Sequence, residues 1–190
     1  MAAPTPPADT LLTDAAGAQS RAGDLWAAGP VLVVALRRPG CLLCREQAVH
    51  LWAERARFAA AGVSLACVLH EWRAAEVEAF APAYWGGPLF YDEAKAFHAA
   101  VHGGRLRRGN VLDLLNPFSS AWREIRRAKE AGRVTDSNLV GDGLTLGGVL
   151  VIAKGGAVVA AFPETTFGDH APLEELVAAA EKAAKASAPA

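Results

Sequence analysis

Cysteine is scarce in this chain, with three in 190 residues, and that is too few for a disulfide framework. No long hydrophobic run is present either. No unbroken apolar stretch exceeds the length of Val31 to Leu36, which falls far short of the ~20 residues that a membrane-spanning helix needs, so no membrane span is expected. Net charge is nearly absent, at -1, so no whole-molecule field draws the chain to nucleic acid or to an anionic membrane. The N-terminal segment lacks the basic start and apolar stretch of a secretory signal. It also lacks the arginines of a transit peptide, because the first 36 residues hold one basic side chain, Arg21, against Asp9, Asp14 and Asp24. The resulting expectation is a cytoplasmic, reducing environment, in which a close pair of cysteines points to redox or metal chemistry more than to structure.

What is present is the composition of a globular domain, 52% hydrophobic and 21% charged. Residues 1–10 are rich in Pro and Ala and read as a flexible arm, residues 11–182 as one domain, and residues 183–190 as a frayed tail. Val31–Leu36 has the pattern of a strand buried on both faces, ended by Pro39-Gly40. From about Cys44 a helical periodicity (Ala48, Trp52, Ala56, Ala59) runs to a stop at Gly62, and Val63–Leu69 is a second buried strand. Strand, helix and strand make a right-handed βαβ unit with a parallel pair. Beyond it the pattern predicts helices at 72–80, 95–101 and 118–131 and a strand at 89–91. A hairpin follows, 149–153 and 157–162 around Lys154-Gly155-Gly156, and then a helix from about Pro172. The order is that of an α/β, thioredoxin-like fold: a central mixed sheet, βαβ plus C-terminal ββα, flanked by helices with a helical insertion.

The informative segment is Arg37-Arg38-Pro39-Gly40-Cys41-Leu42-Leu43-Cys44-Arg45, where the first strand hands over to its helix. Sites in open α/β sheets form at the carboxyl ends of strands. A helix N-terminus offers unpaired amides and partial positive charge to a thiolate, and Arg37, Arg38 and Arg45 are expected to add to that field. Lowering a thiol pKa from about 8.5 to about 7 raises the thiolate fraction at pH 7 from roughly 3% to roughly 50%, of which falling nucleophilicity takes back about fivefold. A bridge across two intervening residues closes almost no loop and is worth roughly 2 kcal/mol before strain, a weak structural reason for the pair. A zinc site needs four ligands, and the candidates near in sequence, Cys67, His50 and His70, show no second CxxC or HxxxH spacing. Redox chemistry is therefore the expectation, with zinc as the other reading.

Several features read as structural. Cys67, in the apolar strand, is expected to be a buried, inert thiol. Arg105, Arg107 and Arg108 with Arg123, Arg126 and Arg127 read as solvated surface, with docking of an acidic redox partner as the alternative. Gly141, Gly143, Gly147 and Gly148 precede a strand, so they are no dinucleotide fingerprint, and close backbone approach to the active site is the reason expected for them. The five histidines show no spacing that suggests a Ser or Cys hydrolase.

The chain resembles the peroxiredoxin-like 2 family, a branch of the AhpC/TSA group that includes the prostamide/prostaglandin F synthases. The resemblance covers about residues 24–180 and rests on RRPGCLLCRE (37–46), FYDEAKAF (90–97), GDGLTLGGVLVI (141–152) and FGD (167–169). It implies a thioredoxin fold and a CxxC redox-active centre at Cys41 and Cys44 that forms a disulfide in turnover. It also implies antioxidant reduction of a peroxide or lipid endoperoxide, no bound cofactor, and electrons from NADPH through thioredoxin. Two positions depart from the wider groups: Cys41 stands where peroxiredoxins carry a threonine, three residues before the peroxidatic cysteine, and Leu144–Gly148 lacks the cis-proline of thioredoxins. The thioredoxin comparison makes Cys41 the attacking thiol and the peroxiredoxin alignment makes it Cys44. The lipid activity that the resemblance implies favours Cys41. The rival from another class is a non-catalytic redox sensor or interaction scaffold gated by Cys41–Cys44 oxidation.

Overall fold

The computed structural model describes residues 3–188. Its centre is a seven-stranded mixed sheet. In chain order the strands are β1 (Leu11–Asp14), β2 (Gln19–Arg21), β3 (Val31–Leu36), β4 (Ser64–Leu69), β5 (Leu89–Tyr91), β6 (Gly148–Ile152) and β7 (Val158–Pro163). They lie side by side as β2-β1-β5-β4-β3-β6-β7. β3, β4 and β5 are parallel, and the remaining pairings are antiparallel. The helices are α1 (Asp24–Ala27), α2 (Leu42–Ala53), α3 (Arg55–Ala60), α4 (Ala74–Phe80), α5 (Ala96–Val101), α6 (Val111–Leu115), α7 (Ser120–Ala131) and α8 (Leu173–Ser187).

The apolar run at 31–36 occupies the middle of the sheet because every one of its side chains is buried, alternately on the two faces. Leu32, Val34 and Leu36 join Leu65, Cys67, Val149 and Val151 under α2, α3 and α8. Val31, Val33 and Ala35 join Val68, Leu150 and Ile152 against Trp26, Phe97 and Val101 on the other face. Fully burying a Val, Leu or Ile side chain is worth about 1.5–3 kcal/mol, so this double-faced packing fixes β3 and with it the loop that follows.

The expected βαβ unit, hairpin and closing helix are present. The long helix expected up to Gly62 is two helices broken at Glu54, whose backbone leaves the helical region (φ -90°, ψ 7°). The short strands β1 and β2, which extend the sheet beyond β5, were not anticipated. The tail expected to fray from 183 is helical through Ser187: Ala183 is buried against the core, and Ser187 Oγ accepts from the Lys154 amide at 2.9 Å. In the expected arm, Thr5 Oγ1 donates to Gly156 O at 2.6 Å, and the Gly23 amide donates to Ala8 O at 2.9 Å. Residues 1–2 of that arm and 189–190 of the tail lie outside the described residues.

Candidate active site

β3 ends at Leu36, and the chain turns through Arg37-Arg38-Pro39-Gly40 into α2, with Cys41 as N-cap and Cys44 in the first helical turn. Gly40 leaves room there for two side chains to close over the turn. A Cβ would sit within 3 Å of the Asn138 and Glu76 side chains, and the Asn138 amide donates to Gly40 O at 2.9 Å. Cys41 is partly exposed, whereas Cys44 is buried beneath it. All three cysteines are free thiols in this structure.

The two sulfurs differ sharply in electrostatics. The Cys41 thiol is held well below its ordinary range, first by the Cys44 thiol, which hydrogen-bonds the thiolate, and then, against the cost of burial, by the Arg37 cation and the Cys44 amide. Arg37 Nη2 lies 3.7 Å from Cys41 Sγ. Cys44 is pushed well up, first by burial and then by the hydrogen bond it gives and the charge on Cys41. The arrangement holds one thiolate at the surface over one protonated thiol, which is what a dithiol redox step needs.

Of the three arginines expected around the thiols, only Arg37 reaches them. Its Nη1 is 3.0 Å from Glu164 Oε2, and its guanidinium lies 5.4 Å from the centre of the Phe167 ring. Burial opposes the Arg37 cation, but Glu164 and the two sulfurs outweigh it and hold it charged. Arg38 lines the same cleft as Cys41 but donates to Asn138 Oδ1, Asn138 O and Val140 O at 2.8–2.9 Å, tying down the segment ahead of β6. Arg45 donates to Pro39 O and Asp136 O at 2.7 Å, pairs with the Asp136 carboxylate and covers the Tyr84 ring. Arg38 and Arg45 are thus clamps on the loops around the site.

Glu164, just past β7, was invisible to sequence reading. Its Oε2 accepts from Arg37 Nη1 and from the Gly147 amide at 2.8 Å, joining the ends of β3 and β7 to the start of β6. Gly147 has to be glycine because a Cβ would overlap Ala35 O. Of the four glycines, Gly147 approaches β3 and Gly148 approaches β7, while Gly141 and Gly143 share the lining of one cleft with Cys41. Cys67 is fully buried and its thiol pushed well up by burial, as an inert core cysteine should be. No described cluster of three His, Cys, Asp or Glu side chains is arranged to hold a metal, and no helix among the described residues is long and apolar enough to cross a membrane.

Cys41 and Arg37 open into a cleft of about 590 Å³ between the start of α2, the α6–α7 pair and residues 137–144. Its walls are mostly apolar: Leu42, Leu114, Trp122, Ile125, Leu144 and Phe167. Two other hollows, of about 690 and 640 Å³, contain no cysteine.

A mixed sheet with two thiols at the start of the helix after its central strand is the plan of a thioredoxin-fold thiol protein. The sequence pattern described as AhpC/TSA antioxidant enzyme matches residues 50–166, and the chain belongs to that family. It is similar to Peroxiredoxin-like 2A of Xenopus tropicalis, 38% identical over 85% of this chain and 68% of the relative. The human protein of that name is 33% identical over 85% of this chain and 67% of its own length. Among solved structures, peroxiredoxin Q of Xanthomonas campestris superposes with a TM-score of 0.59 at 14% identity, over 96% of this chain and 94% of that one. Peroxidoxin BcpB of Mycobacterium tuberculosis gives 0.59 at 16%, over 100% and 99%. These two likenesses concern the fold. The family match begins at residue 50, after the Cys41–Cys44 segment.

Proposed function

We propose that this protein is a thiol-dependent oxidoreductase that reduces an apolar peroxide, with Cys41 as nucleophile and Cys44 as resolving thiol. The observation that carries the reading is the division of labour between the sulfurs: Cys41 is a stabilised thiolate facing the cleft, and Cys44 is buried and protonated directly below. The family supports a peroxidase-type role.

In the first step the Cys41 thiolate attacks the nearer peroxide oxygen and the O–O bond breaks. A hydroperoxide leaves as alkoxide, becomes an alcohol on taking a proton from solvent, and leaves Cys41 as sulfenic acid. From a cyclic endoperoxide the severed oxygen stays tethered as an S–O adduct. Arg37, charged and beside Cys41, stabilises the negative charge that moves from sulfur to oxygen. Cys44 then loses its proton and attacks the Cys41 sulfur, forming the disulfide and expelling water, or the diol in the endoperoxide case. Two electrons have passed from the dithiol to the substrate, and a thioredoxin-type dithiol returns them, drawing on NADPH.

The cleft volume lies in the range of sites for drug-sized ligands and far exceeds hydrogen peroxide, and its lining suits a hydrocarbon-bearing substrate. Lipid hydroperoxides and endoperoxides are therefore the proposed substrates. The test is a peroxide panel with thioredoxin, thioredoxin reductase and NADPH. Continuous NADPH consumption that requires Cys41 and favours lipid over hydrogen peroxide supports the reading. Consumption that stops after one equivalent identifies a redox sensor instead.

A further inference from the structure

The near-zero net charge conceals a local segregation. Residues 105–133 carry eight Lys or Arg and only three Asp or Glu. Asp113 and Glu124 are half-buried, the first accepting from Thr166 Oγ1 at 3.3 Å and the second paired with Arg127 at 3.3 Å. Arg105, Arg107, Arg123 and Arg126 are exposed, and none has a carboxylate partner among the described ion pairs.

The same segment exposes large apolar side chains that a folded surface normally covers. Phe118 is 87% exposed, Leu115 72% and Leu112 66%. They are built into a fixed knuckle. Asn110 caps α6, Ser119 Oγ donates to Asp113 O at 2.5 Å, Trp122 Nε1 to Leu114 O at 2.8 Å, and Arg126 Nη1 to Pro117 O at 3.1 Å. The knuckle is one wall of the Cys41 cleft, through Leu114 and Trp122. The opposite wall carries Leu139, which is 93% exposed. Both lips of the cleft therefore bear bare apolar side chains, and one of them is flanked by unpaired arginines.

We infer that this face docks on an anionic lipid bilayer, with Leu115, Phe118 and Leu139 entering the acyl boundary and Arg123 and Arg126 meeting the headgroups. Apolar fingers flanked by unpaired cations match the two halves of such an interface, apolar below and negative above. An acidic protein partner would complement the arginines but would leave no reason for the protruding phenylalanine and leucines. Docked in this way, the cleft opens toward the membrane. That orientation rests on the proposed lipid peroxide substrate for its use, but docking itself does not require turnover.

The test is co-sedimentation of the full chain with vesicles of phosphatidylcholine, alone or with roughly one third phosphatidylserine. The expected result is binding to the anionic vesicles only, weakened at least tenfold by raising salt from about 0.1 to about 0.5 M. Leu115→Asp with Phe118→Asp should lower partitioning at least tenfold, and Arg123→Glu with Arg126→Glu at least twentyfold, from about 1 kcal/mol per basic residue. Unchanged thermal midpoints establish that these variants are folded. Absence of binding, equal binding to neutral vesicles, or variants that bind like the parent would overturn the inference. So would a dimer in sedimentation that Phe118→Asp dissolves, because the face would then belong to a second copy. Turnover of a water-soluble hydroperoxide without vesicles tests the peroxidase reading separately.

Discussion

Arg37 and Glu164, 127 positions apart in the chain, form a buried ion pair at 3.0 Å that spans the start of β6 and sets the guanidinium beside Cys41. Arg37 is 2% exposed and Glu164 4%, so neither charge has water as a substitute partner. Removing one member of such a pair leaves the other uncompensated, a cost of about 3–5 kcal/mol. Glu164→Gln keeps an oxygen for the Gly147 amide but strips Arg37 of its largest counter-charge, leaving only the sulfurs. The expected outcome is a loss of that size in urea unfolding, with the m-value unchanged. A loss below about 1 kcal/mol would show that the pair is not what holds the site.

The cleft thiolate should report its supports. Alkylation of Cys41 as a function of pH should show a thiol titrating well below the ordinary range. The Cys44 thiol is its largest support, so Cys44→Ala should raise that pKa most, with Arg37→Gln raising it next. The sign is fixed by the thiolate being the reactive form: a raised pKa moves the acid limb of the rate profile to higher pH. An unmoved limb in both variants would remove the electrostatic argument.

Two buried histidines predict acid sensitivity. His70 and His98 meet edge-to-face with ring centres 4.8 Å apart, and His98 Nε2–H donates to Leu36 O at 3.1 Å, one residue before Arg37. Burial lowers His70 to about 4, with Lys95 adding to the effect, and burial also holds His98 well below the ordinary histidine range. A depressed histidine binds fewer protons folded than unfolded, so stability is complete above pH 6.5 and falls as pH drops toward 4. For His70 the loss across that window is about 3 kcal/mol. Denaturation at pH 7 and pH 4.5 should show it, and His70→Gln should show a smaller difference between the two.

Oxidation should scarcely change global stability. A Cys41–Cys44 bridge closes a loop of two intervening residues at one helix end, worth roughly 2 kcal/mol before strain. The thermal midpoint should move by less than about 8 °C between reduced and oxidised protein.

The strands and helices with unbroken apolar patterns were readable because the signal is local: β3, β4, the β6–β7 hairpin and α8 each announce themselves within a few residues. β2, with the sequence Gln-Ser-Arg, carries no such pattern and becomes a strand only by pairing with β1. The position of the two thiols at the strand-to-helix turn was likewise local and readable. The roles of the arginines were not. Arg37, Arg38 and Arg45 look alike in sequence, and which of them faces sulfur depends on Glu164, Asn138 and Asp136, all about 90 or more residues away. Glu164 itself lies in an unremarkable Pro-Glu-Thr stretch, and nothing nearby signals its burial.

The most direct test of the account is identification of the sulfur that reacts first. Cys41→Ser and Cys44→Ser proteins, treated with less than one equivalent of an apolar hydroperoxide and a sulfenic-acid trap, are digested and mapped by mass spectrometry. Sulfenic acid is expected to be trapped on Cys41 in the Cys44→Ser protein and to be absent from Cys41→Ser. Adduct on Cys44 in Cys41→Ser, with Cys41 unmodified in the other variant, would contradict the account.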